Sequence, residues 1–170
     1  MSAGTPRGLL EGFFEAVRKV ILACAFISGA AILVMIGVTV LDVALRLFKV
    51  GIVGAYDIVR IAGVTAIACA LPYVTAVKGH IAIEFFYQSF SRIGRVVLDS
   101  TFRVVALALF GFLVIRNIRY GLTLRAAGLL MPTLHVPVFW MPFLISFNAL
   151  LICIVVAYHL LHPGQEMIKP

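Results

Sequence analysis

Charge is what this sequence has least of. Only 12% of its 170 residues are charged and only seven are acidic, whereas an ordinary soluble domain carries about 25% charged residues. That is too little polar surface to coat a water-soluble globule. Disorder is excluded from the other side, because 63% of residues are hydrophobic and the mean hydropathy is +1.13. Cysteine is sparse as well. Cys24, Cys69 and Cys153 each stand alone in an apolar run, and without a paired CxxC there is no support for a thiol redox centre or a zinc site. They read as small buried hydrophobes. P-loop and dinucleotide fingerprints are missing too. The formal net charge of +7 marks loops and lipid headgroups in such a chain rather than nucleic acid.

What is present is a series of long apolar runs. A membrane-spanning helix needs about 20 residues, so the chain has room for four or five spans and short connections, as one small membrane domain. The first span is expected over about 20–45. Val20 to Leu41 carries no charge and exceeds the roughly 7–15 residues of a cleaved signal core. Ser28, Gly29, Ala30 and Ala31 give it a slim flank. Asp42 and Arg46 close it four residues apart, on one helix face. The second span, about 57–78, opens on Asp57 and Arg60, one turn apart, and an ion pair is expected there too. Ala62, Ala66 and Ala70 form a small-residue stripe suited to close helix packing, and Pro72 is expected to kink the helix.

The third span, about 96–120, is the least apolar, with only Val104 to Ile115 free of charge. Arg103 is placed to pair with Asp99 at i,i+4, while Arg116 and Arg119 can snorkel. The fourth runs over about 136–161, with Pro137 and Pro142 in its first turns and Trp140 and Tyr158 at opposite headgroup belts. Between spans two and three, about 80–95, Glu84, Gln88, Ser91, Arg92 and Arg95 fall along one stripe and Ile81, Phe85, Phe86, Phe90 and Ile93 along the other. That pattern fits an amphipathic helix lying in the membrane interface. The alternative is a polar-faced extension of the third span. The expected fold is therefore an all-α integral membrane protein with four transmembrane helices and one interfacial helix.

Membrane chemistry needs groups at mid-depth, and few are there. His80, His135, His159 and His162 fall at span ends, so no facing pair can ligate a haem. Ser28, Thr65 and Ser146 have no His or Lys at comparable depth to activate them. A stand-alone carrier shows ionisable residues near the midplane, whereas here the acids lie at helix ends. The expectation is no catalytic, cofactor or metal residue, and an accessory or scaffolding role.

The order of these elements resembles a known family. A charge-free first span ends on Asp42-x3-Arg46, and Asp57-x2-Arg60 opens an alanine-rich second span. Lys78-Gly79-His80-Ile81-Ala82-Ile83-Glu84 follows it, and Met131-Pro132-Thr133-Leu134-His135-Val136-Pro137-Val138-Phe139-Trp140 leads into the fourth. The set resembles the small membrane subunit of tripartite ATP-independent periplasmic (TRAP) transporters, the DctQ-like family, over about residues 20–160. Glu84 stands where the family more often has aspartate, and His135 where it more often has glycine. The resemblance implies a large permease subunit as partner, carrying the substrate and coupling-sodium sites. It also implies a periplasmic binding protein that delivers an organic acid anion, and a bacterial inner-membrane location with both termini cytoplasmic. Charge alone decides the orientation poorly, because basic residues divide almost evenly between the two sides. Asp42, Arg46, Asp57, Arg60, His80, Glu84, Ala62, Ala66, Ala70 and Trp140 are the candidate structural or interface residues.

Overall fold

The structure is a computed structural model in which residues 6–77 and 92–161 are described. Among the described residues there are four α-helices: α1 (Pro6–Leu47), α2 (Ala55–Ala76), α3 (Arg92–Ala126) and α4 (Trp140–Leu161). Each contains a stretch long and apolar enough to cross a membrane. The architecture is all-α with four spans. Of the interfacial segment expected at about 80–95, residues 80–91 lie outside the described residues, as do His80 and Glu84; Arg92 to Arg95 open α3.

The helices pack in the order α1, α2, α4, α3. The central pair, α2 and α4, supplies most of the buried side chains, and α3 flanks α4 at the edge. Toward the end that carries the termini, Val17 and Ile21 of α1 meet Ala76 of α2 and Val155 of α4, with Phe14 edge-on to Tyr158. At mid-depth, Cys24, Cys69 and Leu151 form a second cluster. Helices in lipid gain little from the hydrophobic effect, so close packing and internal hydrogen bonds must hold them. Ser28 donates to the Ala66 carbonyl at 2.8 Å, tying α1 to α2, and Ser146 donates to the Val114 carbonyl at 3.2 Å, tying α4 to α3. Asn148 donates to the Leu144 carbonyl at 2.9 Å and reaches the Cys69 sulfur at 3.9 Å.

The small-residue stripe is used within the chain. Ala62 and Ala66 are buried, Ala70 is half-buried, and Ser28 lies against Ala66. α1 packs against it through Ser28. Pro72 is buried inside α2, which runs uninterrupted from Ala55 to Ala76. Arg103 donates to the His159 carbonyl, placing a cation at the negative end of the α4 dipole. The 42-residue α1 is about 63 Å long, twice a hydrocarbon core of about 30 Å.

Candidate functional site: the loop end of the bundle

Two short connections lie at the end of the bundle away from the termini, and two carboxylates organise them. The first joins α1 to α2. Phe48 and Val50 donate backbone N–H groups to the Leu45 carbonyl at 2.9 and 3.1 Å, and Lys49 turns the chain with a φ of 61°. Asp42 fixes the rest: one oxygen accepts from Arg46 Nε at 2.8 Å and the other from the Ile52 backbone N–H at 2.8 Å. The spacing of Asp42 and Arg46 therefore does form an ion pair, and its job is to hold the loop that follows. An exposed pair alone contributes about 0–1 kcal/mol; satisfying a backbone donor ten residues away makes Asp42 a staple.

The second connection, residues 127–139, joins α3 to α4. Gly128, at φ 62°, ends α3 in the left-handed conformation common at helix C-termini. The chain then folds back as a small hairpin. Met131 donates to the Val136 carbonyl at 2.9 Å, Val138 donates to the Leu129 carbonyl at 3.1 Å, and Leu130 bridges Pro137. Because Val136 and Val138 are engaged in this pairing, α4 begins at Trp140, which is half-buried. His135 has a φ of 52°, the conformation glycine favours, and its Nδ1 lies 3.1 Å from the Thr133 carbonyl.

The tip of that hairpin docks on α2. The backbone N–H groups of Thr133 and Leu134 both donate to one oxygen of Asp57, at 2.9 and 2.8 Å. Asp57 is fully buried, and its other oxygen has no hydrogen-bond partner. Beside it, Gly54 caps α2 with a φ of 84°, and a Cβ there would sit 2.7 Å from Leu134 Cδ2. Asp57 and Gly54 thus form a socket and residues 133–134 the plug.

This corrects the expected Asp57–Arg60 pair. Glu15–Lys19 and Asp42–Arg46 are side-chain ion pairs, whereas the Asp57 carboxylate is held by backbone amides. Arg60 is exposed. A one-turn spacing puts two side chains on one helix face, but two aligned amides from a distant loop satisfy a buried carboxylate without adding another buried charge. The sequence offered one cue for the lock: Asp57 and the Met131–Trp140 run both belong to span-entry signatures. Their mutual contact, 76 and 77 residues apart, left no periodic signal.

Arg46, Lys49, Arg60 and Arg125 lie in or within two turns of these loops and Arg116 and Arg119 further along α3, all exposed. Arg125 lies over the Phe139 ring at 5.8 Å and Arg116 over Phe112 at 6.0 Å. Among the described residues no group of three or more His, Cys, Asp or Glu is arranged to hold a metal. What the arrangement can do is present a fixed, cationic, partly apolar surface.

Comparison with curated proteins and with solved structures finds no match. Against protein families, residues 35–164 match the model described as "Tripartite ATP-independent periplasmic transporters, DctQ component". That stretch contains Asp42, the Asp57–Gly54 socket and the 129–138 hairpin, and reaches the end of the fourth span. The chain belongs to the DctQ component family and is a four-span membrane component, the small subunit, of a TRAP transporter.

Proposed function

We propose that this chain is the scaffolding subunit of a secondary importer for an organic acid anion. It acts with a large permease subunit, which binds the substrate and the coupling sodium, and with a periplasmic binding protein. By itself it catalyses nothing and transports nothing. The observation that carries this reading is how the polar groups of the bundle are used. Ser28, Ser146 and Asn148 each donate to a backbone carbonyl inside the bundle, and Asp42 and Asp57 each accept from a loop. These groups stabilise a shape instead of lining a path for an anion and a cation. The family description, a component of a tripartite system, supports permanent partners.

The decisive measurement is reconstitution in liposomes under a sodium gradient. The chain alone is expected to give no uptake, and the large subunit with binding protein but without this chain is expected to lose uptake by at least tenfold. Uptake by the lone chain, or full uptake without it, refutes the reading.

In this proposal the chain sits in the bacterial inner membrane with both termini cytoplasmic, so the loop end described above faces the periplasm. Single cysteines placed at positions 4 and 53, in a background without the three native ones, test this. An impermeant maleimide added to intact spheroplasts is expected to label position 53 and spare position 4. The opposite pattern reverses the orientation.

A further inference from the structure

Helix α3 has two opposite faces, and this chain uses one of them. Val114, Gly121 and Leu124 fall on the side that α4 covers: Ser146 donates to the Val114 carbonyl, Phe143 lies against Gly121, and Leu124 is buried. On the other side Val105, Leu109, Phe112, Arg116 and Arg119 recur at alternating intervals of four and three residues, and all five are exposed. That spacing makes a seam on which a further helix packs. The rest of the chain buries no residue in the most apolar stretch of α3.

The exposed seam holds two cations at a depth where lipid offers no counter-charge. Arg103 donates to the carbonyl of His159, in the last turn of α4, which fixes it near one membrane edge. Arg116 follows thirteen residues on, a rise of about 20 Å in a hydrocarbon core of about 30 Å. It therefore stands about 10 Å short of the opposite boundary and Arg119 about 6 Å short. Any tilt of α3 sets both deeper.

Snorkelling toward the loop end would relieve them, but a helix leans its side chains toward its own N-terminus, which for α3 is the other way. Arg116 follows that lean. Its Cζ lies 6.0 Å from the centre of the Phe112 ring, one turn deeper. A guanidinium in hydrocarbon is costly unless paired. Among the described residues the acids in the loop half of the bundle are Asp42 and Asp57, and loop amides already engage both. A phospholipid phosphate would have to leave the headgroup layer to reach Arg116, and a second copy of this seam would bring more arginines.

We infer that the Val105–Arg119 seam of α3 seats a transmembrane helix of the large permease subunit, and that this helix carries an aspartate or glutamate level with Arg116. This rests on the scaffold reading and adds to it the face and the charge that join the two subunits. The apolar side chains of the seam supply the packing. Arg116 sets the register, because a slip of one turn would leave a buried carboxylate and a guanidinium without each other.

The experiment uses the complete complex of this chain with the large subunit. A photoreactive benzoylphenylalanine at position 105 or 109, with both arginines intact, is expected to cross-link in nanodiscs to one helix of the large subunit. Peptide mapping is expected to find an acidic residue in that helix. In detergent, Arg116→Gln is expected to lower the amount of large subunit retained on the tagged chain at least fivefold, and Arg116→Lys to stay within about threefold. Changing the mapped acid to its amide should cost as much as Arg116→Gln, and the double variant no more than either alone. The isolated Arg116→Gln chain should melt within about 2 °C of the parent, since α4 packs on the other face; if it melts lower, the cross-link made with arginine in place decides. Cross-links to phospholipid alone make the arginines a lipid site and overturn the inference. So do cross-links to a second copy of this chain, a mapped helix without an acid, or retention unchanged by Arg116→Gln. The scaffold reading fails by a separate result, full uptake by the large subunit and binding protein without this chain.

Discussion

Asp57→Ala is expected to destabilise the protein by about 3 kcal/mol, lowering the melting temperature by roughly 6–12 °C. The substitution removes the acceptor of two backbone donors, Thr133 and Leu134, and hydrogen bonds to a charged group contribute about 1.5–3 kcal/mol each. Part of the loss is offset because a fully buried carboxylate with one unpartnered oxygen no longer has to be desolvated. Asp57→Asn should lose less, since its carbonyl can still accept from both amides. Arg60→Ala should change stability by under about 0.5 kcal/mol, as an exposed side chain outside the lock. Thermal unfolding of the purified chain in detergent checks the order, and hydrogen exchange at residues 133 and 134 should rise in the alanine variant. An Asp57→Ala protein that melts within about 2 °C of the parent, or an Arg60→Ala protein that falls as far, contradicts the lock.

The second large effect is steric. Gly54 holds a φ of 84° at the start of α2, where an L-residue costs about 1–2 kcal/mol. A Cβ there would meet Leu134 Cδ2 at 2.7 Å and Cγ at 3.1 Å. Gly54→Ala is therefore expected to cost about 2 kcal/mol, and Gly54→Val more, because branched side chains tolerate positive φ worst. Leu134 is exposed at the hairpin tip, so it can swing aside, but only by loosening the plug. Adding Leu134→Ala to Gly54→Ala should recover the steric part and leave the backbone part. The coupling, read as a double-mutant cycle of unfolding free energies, should exceed about 0.5 kcal/mol. Strict additivity would place Leu134 elsewhere.

The spans were legible because length and freedom from charge decide what can cross a bilayer, and both are linear properties of a sequence. Val20 to Leu41 needed nothing more. The site was legible only in part. Asp42 and Arg46 paired as their spacing requires, because a helix fixes its own i,i+4 neighbours. Asp57 did not pair with Arg60, because a carboxylate selects among all donors within reach and the sequence names only local ones. The alanine stripe was correctly read as a packing face, but periodicity cannot say whether the neighbour is another helix of the same chain. Ser28 and α1 supplied that answer. The 129–138 hairpin was hidden for a further reason. Val136, Pro137 and Val138 are apolar and adjoin an apolar helix, yet their backbone groups pair backwards across a turn.

The lock between Asp57 and the hairpin also has a consequence in time. Its two halves lie 76 and 77 residues apart, and synthesis proceeds at about 5–20 residues per second. For roughly 4–15 seconds after Asp57 emerges, its carboxylate has no native partner. During that interval the nascent chain carries a carboxylate at the membrane face whose native amide donors have yet to be made, and only the arrival of the last connection supplies them. A product truncated after α3 would keep this mark indefinitely, giving a quality-control protease a chemical means of telling unfinished chains from finished ones.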